Sequence, residues 1–194
     1  MIYLKNNFLK NKNSNYFLLL LVFSFFLIYF LSNQYSYSQL ATDENINALI
    51  EKGNQYFDEQ RFEQAIPYYG KVLEIDPNNI ESLINVGAAL GGIGKYNEAM
   101  QYLDRVLEID PNDIDALYNK GVILGGLGKY NEEIQYYDRV LKINPNDIDA
   151  LNNKGAALSD LGNNNEAMQY IDRVLEIDPN NDLALQNKQV LSGY

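Results

Sequence analysis

The chain contains no cysteine and no histidine among its 194 residues. Without cysteine it can form no disulfide, no thiolate nucleophile and no zinc–thiolate site. Without histidine it also lacks the commonest general base and the commonest transition-metal ligand of proteins. Catalysis would therefore depend on carboxylates, lysines and tyrosines alone, and no metal or other cofactor is expected.

Basic residues are also scarce, because 15 lysines and arginines face 26 aspartates and glutamates, for a net charge of −11. Three of the lysines, Lys5, Lys10 and Lys12, precede a long apolar run, so the rest of the chain is more acidic still. An acidic surface repels the phosphate backbone of nucleic acids. A nucleic-acid partner is therefore not expected.

The long apolar run, FLLLLVFSFFLIYFL, occupies residues 17–31 and comes after that lysine-bearing polar stretch. This order is typical of a secretory signal peptide. As a helix the run would reach about 22 Å, short of the roughly 30 Å hydrocarbon core of a bilayer. The pattern favours cleavage before Gln39, after Ser36 and Ser38, over an uncleaved signal anchor that contacts the membrane through residues 17–31.

Either interpretation of the leader (1–38) gives the same localisation for the segment beyond the linker (39–45). The lysines lie only on the N-terminal side of the apolar run, and the positive-inside rule holds that side in the cytoplasm. We therefore expect an extracytoplasmic protein, either secreted or membrane-anchored. A buried core helix is disfavoured for the run, because no flanking polar residue shares a periodic face with it.

The remainder of the chain repeats itself with a period of 34 residues. The segments YNEAMQYLDRVLEIDPND, YNEEIQYYDRVLKINPND and NNEAMQYIDRVLEIDPNN begin at Tyr96, Tyr130 and Asn164. Self-similarity at a fixed period of this length indicates a repeat architecture. The units are 46–79, 80–113, 114–147 and 148–181, followed by a shorter segment, 182–194.

Each unit is predicted to contain two helices. The first ends at a glycine that can adopt left-handed backbone, and the second begins at an asparagine cap followed by a glutamate. The second helix ends before a proline, because the residue preceding proline avoids the helical region. These three roles fall to Gly94, Gly128 and Gly162; to Asn97, Asn131 and Asn165; and to Asp76, Asp110, Asn144 and Asp178.

These units resemble the tetratricopeptide repeat, with leucine in place of its tryptophan, through Leu83, Gly87, Leu90, Ala99, Leu103, Pro111 and their counterparts 34 residues away. The resemblance implies an all-α fold, a right-handed superhelical solenoid of helix-turn-helix repeats whose first helices line a concave groove. Residues 182–194 would form a short capping helix. Close packing would bring the first-helix glycines Gly53, Gly87, Gly121 and Gly155 against Ala65, Ala99 and Ala167.

Some residues depart from the repeat pattern. Glu133 replaces a small alanine, so the third unit is either splayed or extends this carboxylate along the helix surface. Asn164 replaces an aromatic residue, which should weaken the fourth turn. Lysines at a usually apolar position are expected to pack their stems and snorkel, and paired glycines are expected to leave the groove wall bare. These are Lys120, Lys154 and Lys188, and Gly91, Gly92, Gly125 and Gly126.

Other chemistry is less well supported. The aspartate-rich turn at 110–115 lacks the glycine and glutamate register of an EF-hand, so capping is favoured over a metal site. Carboxylates recur at surface-type positions, which disfavours a hydrolase with a carboxylate pair. Tyr102, Tyr136 and Tyr170 have the helical spacing of packing residues rather than of a stacking platform.

The candidate ligand groove carries a ladder of asparagines, each two residues before the small-residue position of a first helix. An amide offers a donor and an acceptor and can hold a peptide unit of an extended ligand, although a role on the helix surface alone remains an alternative. Carboxylates on the same face favour a partner with basic residues. The ladder is Asn85, Asn119, Asn153 and Asn187, and the carboxylates are Glu81, Asp115 and Asp149.

Some members of the family grip an acidic chaperone terminus with a clamp of basic and asparagine residues. At the matching places this chain has Ile50, Asn54, Asn85, Asp115 and Asn119. The asparagines are present, but the cations are absent, which argues against that ligand class.

The sequence thus predicts a non-catalytic scaffold that binds a protein or peptide segment in its groove. An envelope structural protein that assembles by stacking its repeat ends is the alternative. The terminal helix is short, so we expect exposed apolar surface near Tyr170 and Val174 and weak self-association.

Overall fold

A computed structural model describes residues 24–34, 42 and 45–193, and every regular element in these ranges is helical. The chain divides into two compact units, residues 1–48 and 49–194. Residues 24–34 form a helix whose side chains are exposed. No helix within the described residues combines the length and the apolar character that crossing a membrane requires. Residues 17–23 of the apolar run and the predicted cleavage site before Gln39 lie outside the described residues.

Nine helices lie between residues 45 and 192 of the described chain, beginning with α1 (45–58). The others are α2 (Phe62–Ile75), α3 (Ile80–Gly92), α4 (Tyr96–Ile109), α5 (Ile114–Gly126), α6 (Tyr130–Ile143), α7 (Ile148–Asp160), α8 (Asn164–Ile177) and α9 (Asp182–Ser192). Odd-numbered helices are the first helices of each pair and even-numbered helices are the second. The predicted all-α solenoid is therefore confirmed.

Each helix packs against the next one along the chain from α2 to α9. First helices also contact one another, since α3 meets α5, α5 meets α7 and α7 meets α9. No comparable contact joins successive second helices within residues 62–177. First helices are therefore closer together than second helices, and they form the inner face of the stack.

The helix ends follow from local chemistry. The side chains of Asn79 and Asp113 cap α3 and α5 by accepting from the backbone N–H three residues later, at 3.0 and 2.8 Å, and Asp147 and Asn181 cap α7 and α9 in the same way. Gly94, Gly128 and Gly162 come after the first helices with φ between +71° and +80°, as predicted. The predicted ends of the second helices are also confirmed: Asp76, Asp110, Asn144 and Asp178 are their C-terminal caps.

The predicted caps of the second helices are wrong. Asn97, Asn131 and Asn165 each lie one residue inside a helix, because α4, α6 and α8 begin at Tyr96, Tyr130 and Asn164. The capping positions are Lys95, Lys129 and Asn163, and none of them makes a side-chain cap hydrogen bond.

The first-helix glycines make room for large side chains rather than for the predicted alanines. A methyl group on Gly121 would lie 2.5 Å from Cε1 of Tyr137, which is fully buried. Gly87 similarly faces Leu103, at 2.9 Å, with the carbonyl of Ala99 farther away at 3.5 Å. Each glycine therefore accommodates the residue four positions after the place that alanine occupies in the other second helices and Glu133 occupies in α6.

Ion pairs join successive helix pairs where lysine replaces an apolar residue. Lys120 pairs with Asp104 and Lys154 with Asp138, and these lysines are only 5% and 6% exposed. Their stems pack as expected, and each ammonium group pairs with an aspartate whose side chain is half-exposed, so the expected snorkelling extends only as far as that carboxylate. It holds better for Lys188, whose side chain is 45% exposed and whose Nζ lies 2.7 Å from Asp172.

Burial lowers the pKa of Lys120, but hydrogen bonds to Asp104 and Tyr136 outweigh burial and raise the pKa above its ordinary value. Lys154 is held in the same way by Asp138 and by the hydroxyl of Tyr170, which accepts from Nζ at 2.7 Å. Both lysines therefore remain charged although they are buried.

Arginines tie each turn to the following helix pair. Arg105 donates from Nη2 to the carbonyl oxygen of Pro77 at 2.5 Å, and Arg139 and Arg173 repeat the bond 34 and 68 residues later. Each bond spans 28 residues of sequence. These arginine–proline bonds recur at three successive junctions.

The C-terminal helix covers more than the sequence predicted. Val174 is fully buried, and Tyr170 packs against a cluster that includes Ala184 and Leu191 of the terminal segment. The expected exposed apolar surface at Tyr170 and Val174 is therefore wrong, because α9 packs on both α8 and α7. Most of the exposed large apolar residues at this end lie on α9 itself, as Leu183, Leu185 and Val190, with Ile177 at the end of α8.

Candidate functional site

Three depressions succeed one another along the inner face of the first helices. Asn119 and Val122 line the first, Asn153 and Ala156 line the second, and Asn187 and Val190 line the third. Each depression thus contains one residue of the asparagine ladder and one apolar residue three positions later. Val122 is 45% exposed and Val190 is 75% exposed, so these apolar side chains face solvent.

The ladder asparagines are half-buried, and several use their amide nitrogen within the protein. Nδ2 of Asn85 donates to Oδ1 of Asn54 at 3.2 Å, and Nδ2 of Asn153 donates to the hydroxyl of Tyr118 at 2.8 Å. Both bonds join neighbouring first helices. Asn119 instead donates to the backbone carbonyl of Asp115 in its own helix, at 2.8 Å.

The amide oxygens of Asn85 and Asn119 receive no hydrogen bond from the described part of the chain, whereas the side chain of Asn153 also bonds to Tyr137. A ligand N–H could therefore bind these oxygens without breaking a bond of the protein. The nitrogens are held by the bonds above, which fix the direction of each amide. The site is thus better suited to accepting hydrogen bonds from a ligand than to donating them.

Carboxylates flank the ladder. Glu81, Asp115 and Asp149 are exposed in the first turns of α3, α5 and α7. Each lies four residues before a ladder asparagine and so shares its helix face. Burial raises the pKa of Tyr118, and the charge of Asp149 raises it further while the bond from Asn153 opposes the rise. The fourth ladder residue, Asn187, has Leu183 at the corresponding place.

The prediction that the paired glycines leave the groove wall bare is wrong, because side chains of neighbouring helices fill the space beside them. The ring of Phe62 fills the space beside Gly92, and the ring of Tyr96 fills the space beside Gly126, where added methyl groups would lie 2.7 and 2.9 Å from ring atoms. Each aromatic residue begins a second helix and reaches the first helix of the next pair. The sequence did show a hint of this contact, since aromatic residue and glycine recur together in two units.

Glu133 also differs from its prediction, because it neither splays the third pair nor extends along the surface. It is 7% exposed, and its carboxylate occupies the space that a side chain at position 125 would need. Burial raises its pKa to about 7, a hydrogen bond from Tyr137 opposes the rise, and the charge of Asp160 adds to it. Sequence reasoning missed that Gly125 and Glu133 fit one another.

The predicted packing role of the tyrosines agrees with the structure. Tyr102, Tyr136 and Tyr170 are half-buried and pack against core clusters. No group of three or more potential metal-ligating side chains occurs in the described residues. The inner face, with its amides, carboxylates and apolar depressions, is therefore the strongest candidate for a binding site.

Comparison with protein families gives matches to two models, both described as tetratricopeptide repeat. One covers residues 56–121, and the other covers residues 114–147 and 148–181. Together they span well over half of the chain. A search of curated proteins gives no match.

Several solved structures have a similar fold. A crystal structure of MamA is 26% identical, covers 73% of this chain and 82% of its own, and superposes with a TM-score of 0.64. A tetratricopeptide repeat protein from Parabacteroides merdae ATCC 43184 is 24% identical over 77% of this chain and 59% of its own, with a TM-score of 0.65. YrrB, described as a TPR protein with an unusual peptide-binding site, is 24% identical over 82% of each chain, with a TM-score of 0.61.

Proposed function

Because the chain belongs to the tetratricopeptide repeat family, we propose that it is a non-catalytic scaffold that binds an extended segment of another protein along the inner face of its first helices. The observation that carries this proposal is the row of three depressions with Asn119, Asn153 and Asn187 at the same place in each. A periodic site fits a periodic ligand, and an extended peptide presents one N–H and one side chain at regular intervals.

The chemistry of one depression suits one stretch of peptide backbone. The amide oxygen of Asn119 accepts a backbone N–H, and the adjoining Val122 contacts an apolar side chain of the ligand. Backbone hydrogen bonds give affinity with little dependence on sequence, whereas the apolar contacts add selectivity. YrrB, a protein of similar fold, is described as having an unusual peptide-binding site, which supports a peptide as the class of ligand.

The carboxylates of Glu81, Asp115 and Asp149 supply the second part of the recognition. They lie exposed beside the ladder, and the whole chain carries 26 acidic and 15 basic residues. A negative surface accelerates association with a positive partner and disfavours an acidic one. The ligand is therefore a segment with lysine or arginine near the gripped backbone.

The proposal also includes an extracytoplasmic localisation. The lysines before the apolar run at 17–31 support export of the repeats, with the run serving as a cleaved signal peptide or as an anchor. N-terminal sequencing of the protein recovered from cells distinguishes these two roles. A start at Gln39 supports cleavage, a start at Met1 with retention in salt-washed membranes supports the anchor, and full-length protein in the cytoplasmic fraction contradicts export.

The test of the groove begins with capture of the partner. A photo-crosslinking amino acid at Val122, on the inner face, should capture a protein in intact cells, whereas the same group at Asn131, on α6, should not. Affinity for the captured protein is then measured for the triple variant Asn85→Ala, Asn119→Ala and Asn153→Ala. We expect a loss of at least about tenfold, or about 1.4 kcal/mol, because each substitution removes one acceptor.

The chain supplies its own matched control. Asn97, Asn131 and Asn165 have the same 34-residue spacing but lie exposed on the second helices. Their replacement by alanine should leave both helicity and affinity unchanged. If the two triple variants bind the captured protein equally well, the inner face has no role in recognition.

A second candidate function is an envelope structural protein that assembles through its repeat ends. The observation that favours it is the exposed apolar surface of Leu183, Leu185 and Val190 on α9. Sedimentation over a range of protein concentrations separates the two functions. A scaffold remains discrete with weak self-association, whereas a stacking protein grows with concentration and stops growing when Leu183 and Leu185 are changed to serine.

A further inference from the structure

The depression between α5 and α7 differs from its neighbours because it contains a buried carboxylate. Glu133 of α6 is 7% exposed and stands where the other second helices have Ala65, Ala99 and Ala167. A methyl group on Gly125 would lie 2.8 Å from both oxygens of this carboxylate. The glycine thus provides the space in which the carboxylate sits at the floor of the depression.

A second carboxylate faces the same space. Asp160 lines the depression from the end of α7 together with Tyr130 and Asn153. At the places corresponding to Asp160 the two preceding first helices have Gly92 and Gly126, which aromatic rings cover. At the junction of the third and fourth helix pairs the glycine of this contact is therefore replaced by a charged residue, which lies at the edge of the depression with Tyr130.

No lysine or arginine of the described chain lines this depression. Lys129, which precedes α6, pairs with Glu132 at 3.6 Å. Tyr137 is the internal hydrogen-bond partner of Glu133, and Asp160 is the charge that acts on it. A carboxylate buried without a cation is unfavourable, and here a second carboxylate adds repulsion. Packing alone does not call for this arrangement, because alanine fills the same place in the other helix pairs.

We propose that this depression is the subsite that selects a basic side chain of the bound segment, whose cation enters beside Asn153 and pairs with the carboxylates of Glu133 and Asp160. The inference rests on the proposed function and names the part of the ligand that one depression recognises. A guanidinium or ammonium group supplies the positive charge that the described residues do not place there. An arginine fits best, since its planar donors can bind two carboxylates at once.

Recognition of a cation by Glu133 makes binding depend on pH. Burial holds the pKa of Glu133 at about 7, with Tyr137 lowering it and Asp160 raising it. A bound cation favours the ionised carboxylate, so binding lowers this pKa. Affinity therefore rises as the pH increases through about 7 and falls as the carboxyl becomes protonated below that value.

The probe is the capped peptide acetyl-Gly-Gly-Arg-Gly-Gly-amide, compared with the same peptide carrying uncharged citrulline. Both are titrated into the full-length protein while the amide resonances of Gly125, Gly126 and Asp160 are recorded by NMR. We expect the arginine peptide to shift these resonances and to bind at least about tenfold more tightly than the citrulline peptide. It should also lower the pKa of Glu133 from about 7, read from its side-chain carbon resonance.

Two variants test the assignment. Glu133→Gln removes the charge without changing the size of the side chain and should weaken the arginine peptide by at least about tenfold. Asp160→Asn leaves the core untouched and should weaken it less. Glu132→Gln is the matched control on the same helix, since its carboxylate is exposed and pairs with Lys129, and this variant should bind as the unmodified protein does.

The inference is overturned if the arginine and citrulline peptides bind alike, or if Glu133→Gln binds the arginine peptide as tightly as the unmodified protein. The proposed function has a separate readout in the protein captured from cells. Full affinity for that protein in Glu133→Gln, with loss of affinity in the triple asparagine variant, refutes the cation subsite and leaves the scaffold function intact. Unchanged affinity in the triple variant refutes the groove itself.

Discussion

The first junction between helix pairs and the later junctions solve the same packing problem differently. Where α2 meets α3, Gly70 and the buried Val86 occupy the two places that an aspartate and a lysine occupy farther along. The later pairs are Asp104 with Lys120, Asp138 with Lys154 and Asp172 with Lys188. A buried valine opposite a glycine and a lysine paired with an aspartate thus occupy equivalent positions in the same helix geometry.

A comparison of Lys154 with Lys188, at the C-terminal end of the stack, shows which contact buries a lysine at this position. Lys154 lies between Asp138 of the preceding second helix and the ring of Tyr170 in the following one, whose centre is 4.2 Å from Nζ. Lys188 has its aspartate, but no helix comes after α9 among the described residues, and its side chain is 45% exposed. The following helix, rather than the ion pair, therefore buries the lysine.

The largest expected effect comes from removing an aspartate inside the stack. Asp138→Ala leaves the buried ammonium of Lys154 without its carboxylate, and we expect a loss of about 2–3 kcal/mol in the free energy of unfolding. Asp172→Ala, the matched change at the end, should cost less than about 1 kcal/mol because both partners are exposed. Urea unfolding followed by circular dichroism measures both values. Equal losses would show that burial does not distinguish the two pairs.

The comparison can also be sharpened by moving the ion pair to the first junction. Val86→Lys buries an ammonium beside Gly70, and we expect this change alone to be destabilising. Adding Gly70→Asp supplies the missing carboxylate, with Tyr102 at the place of Tyr136 and Tyr170. A double-mutant cycle should give a favourable coupling of about 1–2 kcal/mol. Additive losses would mean that the first junction cannot accept the pair.

The smallest expected effect is the loss of an arginine–proline hydrogen bond, which should reduce the free energy of unfolding equally at every junction. Arg105, Arg139 and Arg173 donate to proline carbonyls in the same way, whether the junction is apolar or ionic. Replacing each arginine by methionine keeps most of the stem but removes the donor, and should cost about 0.5–1 kcal/mol at each site. Thermal or urea unfolding of the three single variants checks this expectation. Clearly unequal losses would indicate that the junction type also changes the turn.

The helix ends that the sequence predicted correctly depend on constraints that act over one or two residues. Gly94 adopts φ +77°, and Asp110 precedes a proline, and both restrictions are visible in the local sequence. The cap at Asn97 failed because the favourable residue type lies inside the helix rather than at its start. The carbonyl of Lys95 already accepts from the backbone N–H of Ala99 at 3.0 Å, so the helix starts before the asparagine.

The contacts that the sequence did not predict are of two kinds. Some join residues from different helix pairs, and others need two residues to differ from the repeat pattern together. Phe62 covers Gly92 across a junction, and neither residue requires the other within its own unit. Glu133 was recognised as unusual, but its burial depends on the space beside Gly125. A periodic pattern records what the units share, whereas these contacts arise from what differs between them. The same holds for the asparagine ladder, whose spacing was visible but whose hydrogen-bond partners were not.

The arginine–proline bonds also depend on the order in which the chain is synthesised. A chain leaves the ribosome from its N-terminus, so the carbonyl of Pro111 emerges 28 residues before Arg139, its donor. Each turn is thus completed only after the next helix pair has been synthesised. During synthesis the newest turn therefore always lacks its arginine donor, so the growing chain always has one end that these bonds cannot yet hold.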